Sequence, residues 1–224
     1  MYSMVIKDYE KINTWIFDLD HTLYPAPSAW EKRAFSHFFQ YIEEHYGIPV
    51  AESEKLDVEF DKQGFYLKGW LEHIPHFDVE HWWQQIDAVD ATDIPVCKLT
   101  QKKIHDLPGN KVLFTNGHPS HADKFLKHLG LSNHFDEVIS INEGDIRRAR
   151  FKPNPDIYHE IMTKMKTKGE NCAMFEDNLS NLVTAHKLGM STVLLNQPEC
   201  HRHLPHVHKQ HDTFTDWLKA YMPK

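Results

Sequence analysis

Five short apolar runs constrain this chain more than any other feature: "TWIFDLD", "KVLFTNG", "EVISI", "CAMFED" and "STVLL". Each has the length of a strand and ends near polar residues or glycine, and amphipathic stretches such as "SHADKFLKHLG" and "SNLVTAHKLG" lie between them. Strands alternating with helices in this way predict an α/β fold with a Rossmann-like parallel sheet, helices covering its faces. Ligands of such sheets bind beyond the carboxyl ends of the strands, so the residues at those ends form one candidate set.

The alternation is interrupted after its first strand. From Ser28 the chain reads "SAWEKRAFSHFFQYIEEHYG", with Trp30, Ala34, Phe38 and Ile42 on one helical face, Phe35 and Phe39 beside them, and Gly47 as a stop. Ser28 followed by Glu31 has the form of a capping box. Further helices are expected around residues 52–62 and 78–89. Charge separates the same segment: residues 25–95 hold 14 acids against 5 Lys plus Arg, a balance of −9, and the rest of the chain balances at +2. The expected organisation is an α/β core from residues 1–24 and 95–224 with a helical insert, 25–94. The aromatic stripe of Trp30, Phe35, Phe38 and Phe39 reads as helix packing. Tyr66, Lys68 and Trp70, beside Gly64 and Gly69, read as a loop that contributes to specificity. Hinges are expected near Tyr24, Pro25 and Pro95.

The formal net charge of −7 argues against a broad nucleic-acid surface. No apolar run reaches the 18 or so residues of a membrane span, and charges break the N-terminal stretch where a signal peptide needs apolar residues. Cys97, Cys172 and Cys200 are odd in number and lack C-x-x-C spacing, which argues against a disulfide framework and a structural zinc site. A cytoplasmic protein without membrane or nucleic-acid partners is expected; oligomeric state is not legible.

At the strand ends stand Asp18 and Asp20, Thr115 and Asn116, and Glu176 and Asp177, with Lys152 in a loop that reaches the same edge. Four clustered carboxylates cannot all stay ionised without a compensating cation. A hard, oxygen-preferring ion answers that need, and Mg²⁺ commonly takes one or two carboxylates, waters and a phosphate. A hydroxyl, an amide and a mobile ammonium are the donors that a transferring phosphoryl group requires. In such a set one carboxylate can attack phosphorus while a second protonates the leaving oxygen and later activates water.

The ordered motifs "DLDHT", "FTNG", the lysine of "FKPNP" and "FEDNLSN" resemble those of the haloacid dehalogenase-like superfamily of phosphohydrolases. The likeness covers nearly the whole chain. It implies Asp18 as nucleophile and Asp20 as general acid/base, with Mg²⁺ held by the Asp18 carboxylate, the Asp20 main-chain carbonyl and Asp177, and Glu176 close by or acting through water. It further implies that Thr115, with the start of its helix, binds phosphoryl oxygens and that Lys152 offsets the charge of nucleophile and phosphate; Asn116, from its place at the strand end, is expected to offer its amide to the substrate. The superfamily's dehalogenases lack the second aspartate of the first motif, so Asp20 favours phosphate chemistry. "DLDHTLYP", "GFYLKGWLE" and "FEDNLSNLVTAHKLGMSTVLL" are similar to the pyrimidine 5′-nucleotidase branch, whose members carry a helical cap; that branch has asparagine where His21 stands and arginine where Lys68 stands.

The resulting expectation is a Mg²⁺-dependent phosphomonoesterase that forms a phosphoaspartate and acts on a small phosphorylated metabolite, a pyrimidine nucleoside 5′-monophosphate in particular, with Lys68 as the cap's substrate cation. The competing readings are a sugar-phosphate phosphomutase and a binding module that keeps the fold without turnover. Residue by residue, bland roles compete: Asp18 and Asp20 as a strand-end turn, Thr115 and Asn116 as a helix N-cap, His21 as a turn residue facing the insert, and Thr22 fixing that turn. The histidine-rich tract 201–211 reads as an exposed loop able to bind transition metals adventitiously.

Overall fold

A computed structural model describes residues 9–25, 28–62 and 65–221; Gly64 lies outside them. Among the described residues, six strands, β1 (Thr14–Phe17), β2 (Asn110–Phe114), β3 (Glu137–Ile139), β4 (Cys172–Glu176), β5 (Ser191–Leu195) and β6 (Lys209–His211), form one sheet in the order β3-β2-β1-β4-β5-β6. Every pairing is parallel. The chain moves from β1 out to β2 and β3 on one side, then returns to β4 on the other, so the strand order reverses at β1. That reversal opens the crevice in which α/β folds hold their ligands.

The two-residue period of a strand divides the core into two layers. Trp15 and Phe17 of β1, Leu113 of β2 and Ala173 and Phe175 of β4 join the cluster on one face. Ile16, Val112 and Phe114, and Cys172 and Met174, join the cluster on the other. Burial on both faces explains why these runs are continuously apolar in the sequence.

Among the described residues, five helices run between β1 and β2: α1 (Ala29–Tyr46), α2 (Val50–Lys62), α3 (Tyr66–His73), α4 (Val79–Asp87) and α5 (Lys98–Asp106). Five more follow: α6 (Pro119–His128), α7 (Glu143–Arg147), α8 (Pro155–Lys164), α9 (Leu179–Lys187) and α10 (Phe214–Tyr221). The Ser28 hydroxyl caps α1 by accepting the Glu31 N–H at 3.1 Å, and Gly47, at φ 73°, closes it in the left-handed conformation. The reciprocal half of the expected capping box is not made, because the Glu31 carboxylate turns to His21. Phe38, Trp70 and Trp82 centre a third apolar cluster, which also takes in Ile141, Ile146 and Phe151 from the chain after β3. The inserted helices therefore rest directly on the segment that leads to Lys152.

Two expectations are corrected. Tyr66, Lys68 and Trp70 belong to helix α3, where Trp70 is fully buried and donates its indole N–H to Asp57 at 2.8 Å. The histidine tract is not simply a loop: it ends in β6, the Thr192 N–H donates to His208 Nδ1 at 3.0 Å, and Gln210 is buried. "KQH" has no apolar alternation, so this strand exists only because the edge of β5 offers it a partner.

Candidate active site at the strand ends

The Asp18 N–H donates to the Phe175 carbonyl at 3.0 Å, which carries the β1 ladder one residue past the strand. The Leu19 carbonyl then accepts the N–H groups of Thr22 and Leu23, folding the chain into a turn around the fully buried Leu19. Main-chain bonds therefore close this turn, whereas the buried Thr22 hydroxyl has no partner among the described residues. His21 sits at the crest with φ 61°. The turn sends Asp18 and Asp20 into the same cleft while separating their partners.

Asp18 faces Lys152. The lysine is 2% exposed and donates to Asp18 Oδ1 at 2.6 Å and to Glu176 Oε2 at 2.9 Å. Burial alone lowers an ammonium's affinity for its proton, but the two adjacent carboxylates overcome this and hold Lys152 above the ordinary lysine range. Burial raises the Asp18 carboxyl to about 6; Lys152 opposes that rise, and Asp177 and Asp20 add to it. Glu176 is pushed well above its usual range, chiefly by burial and then by Asp18.

Asn116 holds the lysine in place. Its Oδ1 accepts the Lys152 N–H at 2.9 Å and its Nδ2 donates to the Lys152 carbonyl at 3.0 Å. The amide expected on the substrate is thus engaged with the main chain of the lysine loop. Thr115 is buried and its hydroxyl accepts the Gly117 N–H at 2.9 Å. Neither residue caps α6: that place belongs to His118, whose side chain accepts the Ser120 N–H.

Glu176 takes two hydrogen bonds on each oxygen. Oε1 accepts from the N–H groups of Asp177 and Asn178, both at 3.1 Å, and Oε2 accepts from Lys152 and from Asn181 Nδ2 at 3.0 Å. This saturation makes Glu176 the anchor of the Lys152 and Asp177 loops. Asp177 is more open and lies 3.4 Å from His21 Nδ1, and His21 Nε2 lies 3.2 Å from Glu31. His21 thus links helix α1 to the core; burial lowers its proton affinity, but Asp177 and Glu31 lift it to about 10.

Asp20 is anchored separately. Its Oδ1 accepts from Tyr24 Oη at 2.5 Å and from His121 Nε2 at 2.8 Å. Burial works against ionisation, but the charge and hydrogen bond of His121 and the hydrogen bond of Tyr24 bring Asp20 down to about 2. Motif spacing missed both partners: His121 reads as one polar residue in an amphipathic helix, and Tyr24 as a hinge.

The carboxylate oxygens of Asp18, Glu176 and Asp177 come within 4.8 Å of one another, a hard oxygen donor set that fits a divalent cation. Above them opens a cavity of about 280 Å³. Its walls include Trp30, Phe35, Phe38, Tyr66, Trp82 and Trp83, and the His118 ring stacks on Trp83 with centroids 4.0 Å apart. Trp30, Phe35 and Phe38 therefore form cleft wall as well as helix packing. Lys68 does not reach this cavity. The helical twist of α3 turns it outward, and its ammonium pairs with Glu72 one turn along.

A family model described as haloacid dehalogenase-like hydrolase matches residues 12–189. Over 197 residues, 80% of this chain, the sequence is 26% identical to Phosphate metabolism protein 8 of Saccharomyces cerevisiae, and the chain spans 60% of that protein's length. It is 24% identical over 198 residues to a yeast protein described as "Probable pseudouridine-5'-phosphatase", covering 84% of this chain and 70% of that one. Among solved structures, the HAD phosphatase of Thermococcus onnurineus superposes with a TM-score of 0.67 at 18% identity, covering 93% of this chain and 97% of the other, which is a likeness of fold.

Proposed function

Since the chain belongs to the haloacid dehalogenase-like hydrolase family, we propose that it is a Mg²⁺-dependent phosphomonoesterase that works through a phosphoaspartate on Asp18. The observation that carries this reading is the division of the two acids: Asp18 lies against the buried ammonium of Lys152, while Asp20 is held apart by His121 and Tyr24 in the same cleft. The phosphatase description of one yeast relative supports it.

Mg²⁺ would be held by the carboxylates of Asp18 and Asp177 and the main-chain carbonyl of Asp20, with Glu176 fixing the loop behind them, and when bound it neutralises and polarises the phosphoryl oxygens. Lys152 and Thr115 orient those oxygens, and Asn116 serves them by fixing the Lys152 backbone. An Asp18 carboxylate oxygen attacks phosphorus as the ester P–O bond breaks, and the leaving oxygen takes a proton from Asp20. That proton arrives with the ester, whose second phosphate pKa is about 6, because Asp20 is ionised in the free protein. Asp20 then accepts a proton from water as its oxygen attacks the phosphoaspartate, which releases inorganic phosphate and restores Asp18.

The substrate is a small phosphorylated metabolite with a flat leaving group, a nucleoside 5′-monophosphate being the best fit to the aromatic walls. Residues 25–94 act as the cap that closes over it. Unbridged thiols at Cys97, Cys172 and Cys200 support a reducing, cytoplasmic setting. The test is hydrolysis of p-nitrophenyl phosphate with Mg²⁺, lost on chelation and abolished in Asp18→Asn with the fold intact, followed by phosphate release from UMP, CMP, phosphoglycolate and hexose phosphates. Undiminished turnover by Asp18→Asn sinks the mechanism. Transfer between sugar hydroxyls without phosphate release makes the chain a mutase.

A further inference from the structure

We propose that His121, seconded by Tyr24, is a positioning residue that orients the Asp20 carboxyl so that proton transfer takes place at Oδ2. The proposal rests on the phosphomonoesterase reading above. Both hydrogen bonds that Asp20 receives fall on one oxygen, Oδ1, and no described residue donates to Oδ2. A proton on Oδ1 would confront two donors that need a lone pair there, so the carboxyl carries its proton on Oδ2. With Oδ1 tethered on two sides, rotation about the carboxyl axis is also blocked, and Asp20, a cavity-lining residue, keeps Oδ2 for the reacting oxygens.

The surroundings of His121 are built for this task. It stands in the first turn of α6, 101 residues from Asp20, and its side chain is only 10% exposed. Its ring packs against Phe125 at 4.4 Å and against Trp30 of α1 at 5.4 Å, and Tyr24 stacks on the same Phe125 at 5.3 Å. One apolar clamp therefore fixes both donors. A Cβ at position 117 would lie 2.8 Å from His121 Cδ2, so Gly117 is what lets the imidazole approach the loop that holds Thr115. Trp30 brings the first turn of the inserted helices into the clamp, so the orientation of Asp20 depends on α1 being seated.

Leaving groups of different quality separate positioning from general support of the fold. A p-nitrophenolate needs little protonation as it departs, whereas a benzyl alkoxide needs a full proton in the transition state, and kcat/KM reports the step that forms the phosphoaspartate. A positioned general acid contributes about 10²–10⁴-fold. In the full-length protein with Mg²⁺, His121→Leu is expected to lower kcat/KM for benzyl phosphate by about 10²-fold and for p-nitrophenyl phosphate by less than about 5-fold. His121→Gln, which returns an N–H at a similar reach, is expected to recover most of the loss. Tyr24→Phe keeps the ring in its stack and should show the same selectivity with a smaller loss, which serves if the leucine variant does not fold. Equal losses for the two esters, or a glutamine variant no better than leucine, overturn the positioning role while leaving the phosphatase in place. A wild-type protein that hydrolyses neither ester overturns the phosphatase reading and the positioning role together.

Discussion

Replacing Lys152 by methionine keeps most of the buried stem and removes the charge that two buried carboxylates share. In the folded protein the ammonium lies 2.6 Å from Asp18 and 2.9 Å from Glu176, all three groups at most 8% exposed by side chain. Removing one partner of such a buried set costs about 3–5 kcal/mol, because the remaining charges lose their compensation. For a chain of this size each kcal/mol is about 2–4 °C in melting temperature, so Lys152→Met should melt roughly 6–20 °C below wild type at pH 8 in EDTA. The pH dependence has a definite sign. Asp18 is raised from 3.8 to about 6 in the folded state, so its penalty is absent below the unfolded value, grows as pH rises through this window and is complete above about 6. Without Lys152 both carboxyls rise further, so the deficit should shrink as pH falls from 8 to 5, where protonation does what the ammonium did. Adding Asp18→Asn to Lys152→Met should restore part of the loss at pH 8. Thermal melts of the four proteins across pH 5–8 decide the matter. A Lys152→Met protein that melts within 2 °C or so of wild type throughout, or a double variant that recovers nothing, would refute the view that this lysine exists to balance buried acids.

Three other outcomes follow from the same geometry. Asn116→Ala leaves the Lys152 N–H and carbonyl without their side-chain partner, which should cost about 1–3 kcal/mol in denaturant melts and at least about tenfold in kcat, since the lysine loses its mount. Lys68→Ala breaks an exposed pair with Glu72 outside the cavity, so stability should stay within about 0.5 kcal/mol and steady-state kcat/KM within about twofold, contrary to what its place in the sequence suggests. Mg²⁺ at a hundred times its Kd should stabilise the protein by about 2.7 kcal/mol, visible as a rise in melting temperature, and Asp177→Asn should remove most of that rise.

The sequence alone marked the first five strands of the sheet, because strands packed between helices read as short apolar runs that end where the chain can carry charge. It also determined which acids stand at those ends: Glu176 is the last residue of β4 and Asp177 follows it, while Asp18 and Asp20 come one and three residues after Phe17, the last residue of β1. Where a role depends on a partner far along the chain, local pattern says nothing. Asn116 points at Lys152, His121 reaches Asp20, Lys68 turns to Glu72 and "KQH" becomes β6 only once the layers are packed. Periodicity records which face of an element is buried; the identity of the group that faces it is decided by tertiary contact. The first motif belongs to both accounts. Its two aspartates are legible as a pair, but only the folded protein shows why they differ: one is set against an ammonium in a dry pocket, the other is held through a single oxygen by a tyrosine and a histidine.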